Sequence, residues 1–169
     1  MLRCQVGDGS AVMKSAREGL APYIIELVGT MLLAFTVATA AAPSNGSSLA
    51  PLAIGAILMS QVYAGGATSG AHYNPAVTLA VSLRRALASW ESKLLVPPLI
   101  GICYVLVQCT GAICGGVLAS AVLPDGIGYP APASGVSTLL ALIAEAAATF
   151  FLCYVVLQTA TVAKMANKE

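Results

Sequence analysis

The chain has 169 residues, of which 58% are hydrophobic and only 9% charged, with a formal net charge of +1. A soluble domain carries roughly 25% charged residues, so this composition cannot cover a water-soluble globule and points to lipid as the surrounding solvent. The near-zero net charge and the lack of a basic run interleaved with aromatics give no nucleic-acid role.

Residues 1–19 are mixed polar, with Arg3, Asp8, Lys14, Arg17 and Glu18. They lack the apolar core of a signal peptide and read as a cytosolic tail. A membrane helix needs about 20 mostly apolar residues, and residues 20–42 supply them around a single acid, Glu26. The turn-forming residues 43–48 follow as a loop. Residues 49–64 form a second expected span, residues 94–122 a third and residues 136–163 a fourth, which contains Glu145. The segment 123–135, rich in glycine and proline, connects the last two. Residues 164–169 form a second cytosolic tail, which leaves 20–163 as the transmembrane domain.

One apolar piece, residues 75–83, is too short to span. At about 1.5 Å per residue it covers about half of a ~30 Å hydrocarbon core. Glycine-rich sequence precedes it and Arg84-Arg85 follow. It reads as a re-entrant half-helix, with a surface amphipathic helix or tight loop as the alternative. All eight Lys and Arg residues fall on one side of the membrane if there are four spans and one re-entrant segment, and they split between faces otherwise. By the positive-inside rule, both termini are then cytosolic.

The short helix opens on Asn74-Pro75-Ala76. Asn is a strong N-cap and Pro suits the first helical position. A helix that starts near the bilayer midplane presents roughly half a positive charge and free N–H donors at that depth. Such an end repels cations and orients permeant dipoles, which suits a pore for neutral hydrogen-bonding molecules. Gly70-Ala71-His72 would be extended backbone at membrane depth, tolerated where it is buried in protein or lines a polar cavity. His72 either braces this loop or contacts solute directly.

Intramembrane acids usually face the bundle interior. Glu26 and Glu145 read either as acceptors for loop backbone N–H groups or as a proton relay. The pairs Glu26/Glu145, Thr30/Thr149 and Leu33/Leu152 are separated by the same 119 positions, so the fourth span reads as a second copy of the first. The same offset applied to Asn74 falls past Glu169. Gln108 is a polar residue of the third span expected to face the bundle. Its neighbours Gly111, Gly115 and Gly116 permit close helix packing. Cys4, Cys103, Cys109, Cys114 and Cys153 show no CxxC spacing, and four of them lie in apolar runs; neither a metal site nor a disulfide framework is expected. No cofactor and no enzymatic activity are expected.

These residues resemble the major intrinsic protein family, the aquaporins and aquaglyceroporins. The resemblance is carried by Glu26-x-x-Gly29-Thr30, the block from Ser69 to Thr78 (Ser-Gly-Ala-His-Tyr-Asn-Pro-Ala-Val-Thr), Gln108-x-x-Gly111-Ala112, and Glu145 with Thr149-Phe150-Phe151. It implies an all-α, aquaporin-like membrane fold with four transmembrane helices plus one re-entrant half-helix, incomplete relative to the family's six helices. It also implies that Asn74 is the first of two pore asparagines, and that Ile54 is the second-helix member of the selectivity constriction. An apolar Ile there leans toward a broader solute range. Family members are commonly tetramers, which implies an oligomer in the bilayer. The expected function is a passive channel for water or small neutral, glycerol-like solutes, in a truncated form of a full-length channel. The alternatives are a non-conducting truncated membrane protein that associates with full-length relatives, and a proton-coupled transporter using the two acids.

Overall fold

A computed structural model describes residues 19–42, 48–88 and 98–162 of the chain. The two tails, most of the 43–48 loop and Lys93 lie outside the described residues, as do the start of the third expected span and the end of the fourth. The described residues form five α-helices: α1 (Ala21–Ala40), α2 (Ala50–Gly65), α3 (Pro75–Ala88), α4 (Pro98–Val122) and α5 (Thr138–Leu157). A π-helical turn, Gln158–Val162, extends α5. Four of the helices place a proline at their first or second position: Pro22, Pro51, Pro75 and Pro98. There the missing N–H leaves no intrahelical bond unmade. The fifth starts on Ser137, whose side chain accepts the amide of Leu140.

Among the described residues three helices are long and apolar enough to cross a membrane: α1, α4 and the extended α5. Together with the apolar surface they expose, they make the chain a multi-pass integral membrane protein. One expectation holds in length and another changes. The second expected span is an apolar helix of 16 residues, as many as expected and roughly 24 Å at the α-helical rise, and Gly65-Gly66 ends it in a run of turns over residues 66–69. The half-helix is longer than expected, 14 residues instead of ending at Leu83. Arg84 and Arg85 stop the apolar run, but arginine is a good helix former and the backbone continues through them.

Helix α1 is the centre of the packing, with α4 against one side and α2 against another. The α1–α4 contact uses one stripe of α4. Tyr104, Gln108, Gly111, Gly115 and Ala119 are all buried, at the three- and four-residue spacing of one helix face. A side chain at Gly111 would run into the carbonyl of Leu27, and one at Gly115 into the carbonyl of Met31. The two backbones therefore touch, as small residues allow in lipid, where apolar burial alone does not drive association. The loop after α4 returns over the end of α1. The Gly128 amide donates to the Ala38 carbonyl at 2.8 Å, and Ala38 and Ala42 are buried. Helix α5 stands apart: its one packing partner among the other described helices is α3.

Gly111→Val should destabilise the fold by about 3 kcal/mol, the upper range for overpacking, while Gly116→Val, where nothing lies within reach of an added Cβ, should leave it unchanged. Thermal unfolding in detergent would check this. Equal effects at the two glycines would contradict backbone contact at Gly111.

Candidate functional site

The site is built where the segment between α2 and α3 folds back onto α1 and α4. Its backbone takes an uncommon course. Gly70 has φ +95°, and two non-glycine residues, Ala71 (φ 53°) and Tyr73 (φ 48°), also lie in the left-handed region. Each such residue costs roughly 1–3 kcal/mol and persists only when its surroundings over-determine it. Here the surroundings are specific. The Ala71 amide donates to Ser69 Oγ at 2.9 Å, and the next two amides converge on one carboxylate. His72 N–H donates to Glu26 Oε1 at 2.9 Å and Tyr73 N–H donates to Glu26 Oε2 at 2.6 Å.

Glu26 is fully buried. A third donor reaches it from α4: Gln108 Nε2 donates to Glu26 Oε2 at 2.9 Å. The same nitrogen lies 2.9 Å from Thr78 Oγ1 on α3, and His72 Nδ1 lies 3.2 Å from that hydroxyl. Thr78 Oγ1 in turn lies 3.1 Å from the carbonyl of Asn74. A closed polar ring thus ties α1, the loop, α3 and α4 together. Gln108 lies near the middle of α4, so the start of α3 sits at mid-height of the helix it packs on.

Tyr73 anchors the loop from the other side. Its hydroxyl donates to the Gln61 carbonyl at 2.9 Å, and its ring fills the space that side chains at Gly29 and Gly65 would occupy. Tyr104 donates to the Ser69 carbonyl at 3.0 Å and sets its ring edge-on to both Tyr23 and His72. One polar group beside this anchor is unpaired among the described residues: both side-chain polar atoms of Gln61 are buried without a hydrogen-bond partner there.

Asn74 caps α3, as its sequence position suggested. Its Oδ1 accepts the Ala76 amide at 2.8 Å and its carbonyl accepts the Thr78 amide at 2.9 Å. Its side-chain nitrogen makes no hydrogen bond to the described residues. Pro75 is exposed at the helix start and Ala76 is half-buried. The carbonyls of Gly70 and Ala71 likewise accept no hydrogen bond from the described residues. The structure therefore brings Glu26, Gln108, His72 and Asn74 together, with Gly70, Ala71, Pro75 and Ala76 on the same segment. Ile54 is half-buried on α2, outside the ring. Glu145 is exposed on α5 and has no hydrogen-bond partner among the described residues.

Sequence reasoning gave no individual role to Tyr73, Thr78, Tyr104 or Gln61. Thr78 carried a usable signal, since it lies four residues after Asn74 on one helix face. The slot for Tyr73 depends on two glycines from different helices and leaves no local trace.

A carboxylate that holds a loop folded back onto α1 and α4, followed by an Asn-Pro helix start at mid-height, belongs to a multi-pass helical membrane protein with a short helix set among its spans. The chain belongs to the major intrinsic protein family, whose model matches residues 49–169. It is 34% identical over 147 residues to a probable aquaporin PIP2-8 of Arabidopsis thaliana, covering 79% of this chain and 50% of that protein. It is 46% identical over 71 residues to aquaporin TIP1-1 of Arabidopsis thaliana, covering 40% and 27%. It is 30% identical over 145 residues to a glycerol uptake facilitator protein-like 6 of Lactiplantibacillus plantarum, covering 80% and 61%. The chain spans about half the length of the curated relatives it matches over most of its own length. No solved structure gives a significant match.

Glu26→Ala would orphan three buried donors, at a cost on the order of 1–3 kcal/mol each. The His72 and Tyr73 amides should then exchange hydrogen much faster in bilayers, with Glu26→Gln intermediate. Unchanged exchange at both would show that another group holds the loop. Gln61→Leu should raise thermal stability by about 1–3 kcal/mol, because it removes a buried amide that has no partner among the described residues. A fall would mean that the amide is satisfied in the membrane.

Proposed function

We propose that the chain supplies pore wall to a passive channel for water or small neutral solutes of the glycerol type. The observation that carries this reading is the start of α3. There, Asn74 Oδ1 is engaged by the Ala76 amide while its amide nitrogen is engaged by none of the described residues. The nitrogen is thus a donor to a permeant oxygen at the positive end of a helix dipole, which disfavours cations. The unengaged carbonyls of Gly70 and Ala71 offer acceptors beside it, and donors followed by acceptors suit a molecule that both gives and takes hydrogen bonds. The names of the relatives, aquaporins and a glycerol uptake facilitator-like protein, support the same solute classes. Glu26 and Gln108 act in this reading as structural residues, and Ile54 as an apolar wall of the constriction. Helices α1, α2, α4 and α5 span the bilayer, with the turns at its ends extending α2, and α3 enters and leaves by the cytosolic face with Arg84 at its mouth. Both termini are then cytosolic, and the working form is an oligomer in the bilayer.

One observation favours a second reading for the isolated chain. Helix α5 buries none of its residues and leaves Glu145 exposed in a span, where an acid without a partner is costly. A chain with that surface would conduct only after association with a relative.

Stopped-flow swelling of proteoliposomes separates the two. The channel reading expects osmotic permeability above that of empty liposomes, lost on Asn74→Asp. Permeability equal to empty liposomes for the purified chain, gained on co-reconstitution with a relative, would support the second.

A further inference from the structure

The ring around Thr78 contains more hydrogen-bond contacts than one hydroxyl can serve in an arbitrary way. Counting protons there fixes a state that the heavy atoms alone leave open. A threonine hydroxyl has one hydrogen and two lone pairs. Its oxygen lies 2.9 Å from Gln108 Nε2, 3.1 Å from the Asn74 carbonyl, 3.2 Å from His72 Nδ1 and 3.4 Å from Gln108 Oε1.

The orientation of the Gln108 amide is set by Glu26, which does not touch the Thr78 hydroxyl. Its nitrogen faces Glu26 Oε2, and a carboxylate oxygen takes a donor there, so Nε2 is the atom that also faces Thr78. That nitrogen can only donate, and it occupies one lone pair of the hydroxyl. The Asn74 carbonyl can only accept, so it takes the single hydrogen. Gln108 Oε1 is the most distant of the four contacts and belongs to an amide already bound through its nitrogen. One lone pair remains, and His72 Nδ1 is the group that faces it. The pairing without a lone-pair-to-lone-pair contact at 3.1 or 3.2 Å has the proton of His72 on Nδ1.

We infer that Thr78 is a positioning residue that holds His72 with its proton on Nδ1, donated to the Thr78 hydroxyl. The ring cannot readily turn away from this bond. It is buried, it meets Tyr104 edge-on at 5.5 Å between centroids, and its own backbone amide is fixed on Glu26. In the neutral ring the proton on Nδ1 makes Nε2 an acceptor, and Nε2 sits beside Gly70 on the loop. The proton position does not rest on the channel reading.

The sequence holds a single histidine, so the test is unambiguous. The full chain, labelled with ¹⁵N-histidine and reconstituted in lipid bilayers, is read by solid-state NMR at neutral pH. The expected spectrum has a protonated-type Nδ1, and the Nδ1–H form exceeds the Nε2–H form by roughly tenfold, the ratio that one net hydrogen bond confers. Thr78→Val removes the acceptor and should collapse that excess, and Thr78→Ser should restore it. An unprotonated Nδ1 in the wild type overturns the inference even if neither variant folds, and so does an excess that survives in Thr78→Val. A chain that shows the expected spectrum but no flux refutes the channel reading and leaves this one standing.

Discussion

The two carboxylate oxygens of Glu26 accept three N–H donors, from His72, Tyr73 and Gln108. Backbone amides away from water must be paired, and the loop with left-handed residues at Ala71 and Tyr73 pairs the Ala71 amide within itself but not those of His72 and Tyr73. Glu26 pairs these two from the neighbouring helix. With the carboxylate in place, the strained backbone holds, Asn74 arrives at the start of α3, and the Gln108 amide is turned so that its nitrogen meets Thr78. An apolar residue at position 26 would leave the His72 and Tyr73 amides unpaired and the segment held only by the Tyr73, Tyr104 and Thr78 contacts.

The carboxylate can reach these partners because the helices around it are close. Gly111 and Gly115 bring α4 into backbone contact with α1, and Gly29 and Gly65 open the slot that receives Tyr73. In lipid, such packing and the polar ring reinforce each other: small residues set the distance at which Glu26 and Gln108 meet, and the hydrogen bonds reward that distance. Family membership and geometry converge on this segment, since the family match includes the loop, α3 and α4.

Much of this was legible in the sequence, for identifiable reasons. Spans can be read because lipid demands length and hydropathy, and the Asn74 cap because Asn-Pro has its own helix-start chemistry. Buried acids in lipid need partners, so Glu26 as an acceptor for loop amides was a sound expectation. The end of α3 was not legible, because hydropathy falls at Arg84 while helix propensity does not. The contributions of Tyr73, Thr78 and Tyr104 depend on φ angles and cross-helix distances that no local pattern encodes. The repeat between Glu26 and Glu145 shows the other side of the same physics. The shared Glu-x-x-small-Thr pattern yields a braced loop only where a segment folds back to be braced, and among the described residues that happens on α1 and not on α5.

The central claim is that α3 descends into the membrane and that its Asn-Pro end is the deep end. Leu79, Leu83 and Leu87 lie one turn apart on its exposed face, so each step along them covers about 6 Å of helix. Spin labels at these positions, in a background without the native cysteines, report depth through their relative collision rates with oxygen and with a water-soluble nickel chelate. The account predicts depth that decreases steadily from position 79 to 87. Equal depth at all three would place the helix flat on the surface and contradict it.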